Sequence, residues 1–258
     1  MGRVFPFALK VILMEILLMD NKKETNPEHL SFLAATAMID KDHPEIRAYA
    51  QRVVQRTEDP VEQAVRLYLA VRDEIRYDPY TPFHRPVHYR ASSILKRKRG
   101  FCIPKASLLC ALSRACHIPC RLGFASVKNH LATPQLLDFL GSDLFVYHAF
   151  VEFYLEGKWV KATPAFNREL CELHKVPPLE FNGREDSLFQ PYNLENQKYM
   201  EYVEVIGSYA DVPLQEILSA WESTYGKERV QQWIKMYEEK DSDFYQDFYE
   251  ESILRYGP

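Results

Sequence analysis

The stretch Gly100-Phe101-Cys102-Ile103-Pro104-Lys105-Ala106-Ser107-Leu108-Leu109-Cys110-Ala111-Leu112-Ser113-Arg114-Ala115 decides how the chain is read. Leu108, Leu109, Leu112 and Ala115 recur at helical spacing, and Pro104 suits a first helical turn, where its missing N–H is not needed. Gly100 reads as the residue that lets the backbone turn tightly into the helix. Cys102 then stands at a helix N-terminus, where free N–H groups and the helix dipole favour negative charge and lower a thiol pKa toward the thiolate. Pro119, in His117-Ile118-Pro119-Cys120-Arg121, stops the helix.

Downstream, Cys120 to Val127 reads as a strand, and a loop or short helix covers Lys128 to Asp143. A hairpin follows: Leu144 to Leu155, a turn at Glu156-Gly157, and Lys158 to Thr163. His148, Phe150, Glu152 and Tyr154 alternate with Ala149, Val151, Phe153 and Leu155, which gives His148 a defined facing direction. Upstream, Asp42-His43-Pro44 opens an amphipathic helix through Ile46, Tyr49, Ala50 and Val53. A stronger helix begins at Asp59-Pro60-Val61-Glu62, which has the form of a capping box. Tyr77-Asp78-Pro79-Tyr80-Thr81-Pro82 must be a loop, and Ala91 to Lys98 a short helix. Residues 164 to about 210, rich in proline, read as an extended wrapping segment with little regular structure. Behind an Asp211 cap, Leu214, Ile217, Leu218, Trp221 and Tyr225 form one helical stripe. Val230, Trp233, Ile234 and Tyr237 form a second, and Phe244, Tyr245, Phe248 and Tyr249 a third.

The 258 residues are 47% hydrophobic and 13% aromatic, which fits a folded globular chain. A net charge of −4 gives no global reason to expect nucleic acid or an anionic membrane as partner. No run approaches the ~20 apolar residues of a membrane span. Glu15 interrupts the apolar N-terminus, so residues 1–18 read as an extra helix or as sequence before a true start at Met19. Five cysteines, mostly between 102 and 120, do not form a secreted disulfide framework, and the expected compartment is a reducing cytoplasm. The expected organisation is an N-terminal extension (1–42), a core (43–167), and a wrapping segment with C-terminal helices (168–258).

A thiolate nucleophile needs a general base, and the base needs a group that orients its ring. Cys102 and His148 are the best pair in the sequence. An alternative reading makes Cys102, Cys116, Cys120 and His148 a zinc site, but no second cysteine pair at zinc-finger spacing accompanies it. No calcium-loop pattern is present, and neither metal nor cofactor is expected. His84, His88, His130 and His174 read as surface residues, and Pro86 argues against a helical metal pair at His84 and His88. Lys96-Arg97-Lys98-Arg99 reads as a solvated loop or as a positive field that favours the thiolate and acidic substrates.

Gly100-Phe101-Cys102, the run Leu108 to Ala115, Ile118-Pro119-Cys120-Arg121 and His148 to Val160 together resemble the transglutaminase-like superfamily, over roughly residues 45 to 167. The resemblance implies a papain-like α+β fold with an antiparallel sheet, N-terminal helices and a helical C-terminal extension. It also implies a Cys-His-Asp triad, with Cys102 as nucleophile and His148 as base. The third position falls at Thr163, in Ala162-Thr163-Pro164, where the family pattern has aspartate before proline. A threonine oxygen can accept a hydrogen bond from imidazole but cannot neutralise imidazolium, and Asn167 is the other candidate to orient the ring. His117 stands where the family usually has glycine, and needs no left-handed backbone if the helix ends in another way. The Cys102 N–H, with Tyr77 or Tyr80, would serve an oxyanion.

The expected function is a thiol-dependent acyl-transfer enzyme that hydrolyses an amide or peptide bond of a protein or peptide substrate through a Cys102 thioester. The alternative is a catalytically weakened transglutaminase-like fold acting as a protein or peptide binding module, for which Thr163 is the motivating residue. The pocket walls are expected from residues 128–143 and 164–210, with the C-terminal helices over the core.

Overall fold

The computed structural model describes residues 27–239 and 247–252. The expectations for residues 1–18 and for Phe244 and Tyr245 lie outside them. In chain order, α1 is Pro27–Leu30, α2 Pro44–Val54 and α3 Pro60–Glu74. Then come β1 (Arg76–Tyr77), α4 (Ala91–Arg97), β2 (Arg99–Gly100), α5 (Cys102–Ala115), β3 (Cys120–Asn129), α6 (Pro134–Leu140), β4 (Leu144–Leu155) and β5 (Lys158–Ala162). The described chain ends with α7 (Arg168–Leu173), β6 (Met200–Tyr209), α8 (Leu214–Tyr225), α9 (Lys227–Glu239) and a 3₁₀ turn at Phe248–Glu250. β5, β4, β3 and β6 form an antiparallel sheet in that order, and α5 packs on β3 and β4 with α2, α3 and α4 around it. This is an α+β architecture, helices packed on an antiparallel sheet.

Helix α5 is the core of the molecule: every residue from Ile103 to Arg114 is buried. Its polar members are there because each finds backbone partners. Lys105 Nζ donates to the carbonyls of Arg72 (2.8 Å) and Ile75 (2.5 Å), orphans at the end of α3, and reaches Asn167 Oδ1 at 3.5 Å. The Arg114 guanidinium donates to the carbonyls of Cys120, Ala34 and Ala210, tying three distant segments to the far end of α5.

Several local readings change. Gly100 lies in β2 without a left-handed backbone. It is required because an added Cβ would stand 2.8 Å from Pro104 Cβ. His117 does adopt the left-handed conformation, φ 60°, and the Ile118 N–H closes the helix end on Ser113 C=O at 3.0 Å. A non-glycine residue therefore occupies a glycine-type C-terminal cap. α2 is capped by His43, whose Nδ1 accepts from Glu45 N–H. Asp59 does cap α3, but Glu62 binds Thr57 and Arg66 instead of completing a capping box. Asp211 accepts from Val212 N–H, next to it in the chain, and the residue before α8 is Pro213.

The hairpin has the expected strands to within one residue, with Glu156 (φ 48°) and Gly157 (φ 85°) both left-handed, as a two-residue turn requires. Residues 164–210 are more regular than expected: they hold α7 and the edge strand β6, which pairs with β3 from Leu122↔Tyr209 to Asn129↔Met200. Register shifts interrupt β6, and the exposed Val203 and Val205 break the in–out alternation that marks a half-buried strand.

Candidate active site

Cys102 begins α5, and the β1–β2 pairing fixes its approach. Arg76 N–H donates to Lys98 C=O and Asp78 N–H to Gly100 C=O, setting the Tyr77 loop beside Phe101 and Cys102. The sulfur sits where the helix amides of Cys102 and Ile103 and the Ala149 amide of β4 are directed at it. Ala149 follows His148, so α5 meets β4 at the histidine.

β4 is not the uninterrupted alternation read from sequence. Its register with β3 passes from Ala125↔His148 to Val127↔Phe145, so β4 carries one extra residue, and Tyr147 stands at φ 61°. This is a β-bulge immediately before the histidine, a device that re-aims side chains. α8 holds the bulge. Trp221 Nε1 donates to Val146 C=O (3.0 Å), Val146 N–H donates to Tyr225 Oη (3.0 Å), and Tyr225 Oη donates to Leu144 C=O (3.1 Å). Sequence periodicity placed Trp221 and Tyr225 on one helical face, but no sequence signal marks their bonds to the β4 backbone.

The electrostatics reverse the sequence expectation for the thiol. Burial pushes the Cys102 thiol up to about 11, and the three amides aimed at the sulfur oppose this without overcoming it. Burial likewise pulls the His148 imidazole down to about 4. Near neutral pH the site therefore rests as neutral thiol and neutral imidazole. The basic run does not act on the sulfur. Arg97 donates to the carbonyls of Arg99 and His88, Arg99 lies 3.6 Å from Asp78, and Lys98 covers the Tyr49 ring. None of the four lines the cavity at Cys102.

Thr163 follows β5, its N–H donating to Ser187 C=O and its C=O accepting from Tyr68 Oη. The β4–β5 ladder ends at Val151↔Ala162. Continued by one residue it sets Thr163 opposite Phe150, on the face of His148 and diagonal to it. Thr163 Oγ1 and His148 Nε2 are both buried, and neither has a hydrogen-bond partner among the described residues, so they do not bond each other. Asn167 is fully committed elsewhere. Its amide donates to the carbonyls of Asp73 and Ile75, and its oxygen accepts from Tyr77 N–H (2.6 Å) and Tyr249 Oη (3.0 Å). It braces the Tyr77 loop and does not orient His148.

Cys102 and His148 line one cavity with about 890 Å³ of space between protein atoms, its mouth included. Leu136 and Phe139 come from the segment 128–143 and Phe166 and Phe189 from 164–210, as expected for its walls. α8, α9 and Phe248 supply the rest. Tyr77 lines the cavity, whereas the Tyr80 hydroxyl is committed to Glu251, which also accepts from Thr133. The four histidines read as surface residues are not all so. Both ring nitrogens of His84 and the Nε2 of His174 are buried, and burial lowers the pKa of each ring, for His174 to about 4. Cys102, Cys116, Cys120 and His148 do not converge as a metal site, and among the described residues no group of three or more potential ligands does.

A cysteine at the start of a buried helix, facing a histidine on an antiparallel strand, defines a thiol-enzyme-like fold. Residues 47–164 match the model of the transglutaminase-like superfamily. No curated protein matches the chain. Among solved structures, a candidate cysteine protease from Cytophaga hutchinsonii is 16% identical with a TM-score of 0.47, covering 73% of this chain and 49% of its own. A candidate protease from Parabacteroides distasonis is 18% identical (TM-score 0.35; 51% of this chain, 26% of that one). The periplasmic domain of TgpA from Pseudomonas aeruginosa is 23% identical (TM-score 0.34; 47% and 42%). The chain thus spans about half the length of the first of these. No helix among the described residues is long and apolar enough to cross a membrane.

Proposed function

We propose that the protein is a thiol-dependent acyl-transfer enzyme that hydrolyses an amide or peptide bond through a Cys102 thioester. The observation that carries this reading is the shared cavity of Cys102 and His148, with the thiol at a helix N-terminus beneath three amides. Because both groups rest neutral, His148 works as a general base during attack and not as half of a standing ion pair. The sulfur forms a bond to the carbonyl carbon while its proton passes to His148 Nδ1. The Cys102 amide and Tyr77 receive the oxyanion. Collapse of the tetrahedral adduct breaks the carbon–nitrogen bond, and the amine leaves with the proton from His148. Water then adds to the thioester, giving its proton to His148, and the released sulfur takes that proton back.

The test is acylation by p-nitrophenyl acetate, followed by intact-protein mass spectrometry. The expected result is one hydroxylamine-labile acetyl group on Cys102, p-nitrophenolate release beyond one equivalent, and loss of both in Cys102→Ala and His148→Ala. The second reading, a binding module, is favoured by Thr163, which puts no carboxylate beside His148. A stable protein whose Cys102→Ala and His148→Ala variants release p-nitrophenolate as fast as the parent would establish that reading and end the first.

A further inference from the structure

The cavity at Cys102 is unusual in what it lacks. More than half of its lining residues are aromatic, and none is Asp, Glu, Lys or Arg. Three roof residues that carry polar tips have spent them on backbone. Trp221 and Tyr225 bond the β4 bulge, and Tyr237 Oη donates to Tyr80 C=O at 2.7 Å. What these side chains present to the cavity is therefore ring surface. Phe139 and Trp233 stack at 4.8 Å and 16°, and Phe83 packs on Trp221 at 5.1 Å, so the walls are preformed by ring contacts of their own.

Resting on the function proposed above, we infer that this cavity is the acyl pocket, and that the substrate carries an uncharged, apolar acyl group of aryl size. In a thioester mechanism the acyl group is the part that stays on Cys102 while the amine departs. It is therefore the part that an enclosed apolar wall beside the sulfur holds through both steps. An apolar ring gains by leaving water for this wall, whereas a carboxylate or ammonium would lose its hydration with no charged partner to replace it. The basic run that suggested acidic substrates is turned away from this space.

The experiment compares benzyl, methyl and carboxyethyl chloromethyl ketones as alkylating agents for Cys102, each normalised to its rate with glutathione. In each reaction the sulfur–carbon bond forms as chloride leaves. Burial of one aromatic ring predicts that the benzyl reagent exceeds the methyl by about 10- to 100-fold in kinact/KI, with the carboxyethyl reagent slowest. Leu140→Arg, at a half-exposed position of the wall, should erase the benzyl advantage and favour the carboxyethyl reagent. Equal normalised rates for the three reagents would overturn the inference and leave the nucleophile standing. Binding to Cys102→Ala separates the two claims: phenylacetamide should raise its melting temperature and succinamate should not. If that selectivity is present while the parent shows no acylation by p-nitrophenyl acetate, the catalytic reading fails and the pocket assignment holds. If it is absent, the pocket assignment fails.

Discussion

Thr163→Asp is the perturbation that most directly tests why the Cys102–His148 pair is neutral. The side chain at Thr163 is enclosed, and its oxygen has no hydrogen-bond partner among the described residues, on the sheet face of His148 and one diagonal away. Diagonal neighbours on a ladder stand about 7 Å apart, close enough for a carboxylate to reach about 6 Å from the ring. At an effective dielectric of about 20 that separation is worth about 3 kcal/mol, or about 2 pKa units. His148 would rise from about 4 toward the ordinary histidine range. The imidazolium would in turn lower Cys102 from about 11. The assay is the rate of Cys102 alkylation by iodoacetamide against pH. A thiol near 11 is ionised to about one part in ten thousand at neutral pH, against about 3% for an ordinary thiol. The parent protein should therefore react about 300-fold more slowly than a free thiol, with a log rate that climbs by one per pH unit up to about pH 10. The Asp variant should gain a shoulder near about pH 6. A fast plateau from about pH 5 to 8 in the parent would refute the neutral pair. A folded Asp variant with the parent's profile would refute the placement of Thr163 beside His148.

Two further outcomes follow from burial and from the bulge. His148 titrates near 4 when folded and about 6.5 when unfolded, so between these values the unfolded chain binds the extra proton and stability falls as pH drops. At about pH 4.5 the His148 share of that loss is about 2–3 kcal/mol, and His148→Phe should remove it in urea unfolding compared with neutral pH. An identical acid loss in both proteins would contradict the depressed pKa. Tyr225→Phe leaves Val146 N–H and Leu144 C=O without their partner, which should cost about 1–3 kcal/mol of stability. It should also slow acylation of Cys102 under conditions where the variant is fully folded. Unchanged acylation would show that the bulge positions His148 without help from α8.

Elements set by local chemistry were legible in the chain itself. Asp59 with Pro60 starts α3, the Leu108–Leu109–Leu112 period with Pro119 delimits α5, and Glu156-Gly157 makes the hairpin turn. Cys102 at a helix start and His148 on a strand were readable for the same reason, since periodicity places a residue on an element. What required the tertiary structure was everything that depends on a distant partner. The bulge at Tyr147 takes its hydrogen bonds from α8, about eighty residues downstream, and a left-handed tyrosine has no sequence signature. β6 forms because β3 offers it an open edge, although its own pattern is broken. The expected lowering of the Cys102 pKa came from the helix terminus, with the basic run before it as a second source. The enclosing aromatic wall reverses it, because the desolvation of a charge depends on all that surrounds it and not on the element that carries it.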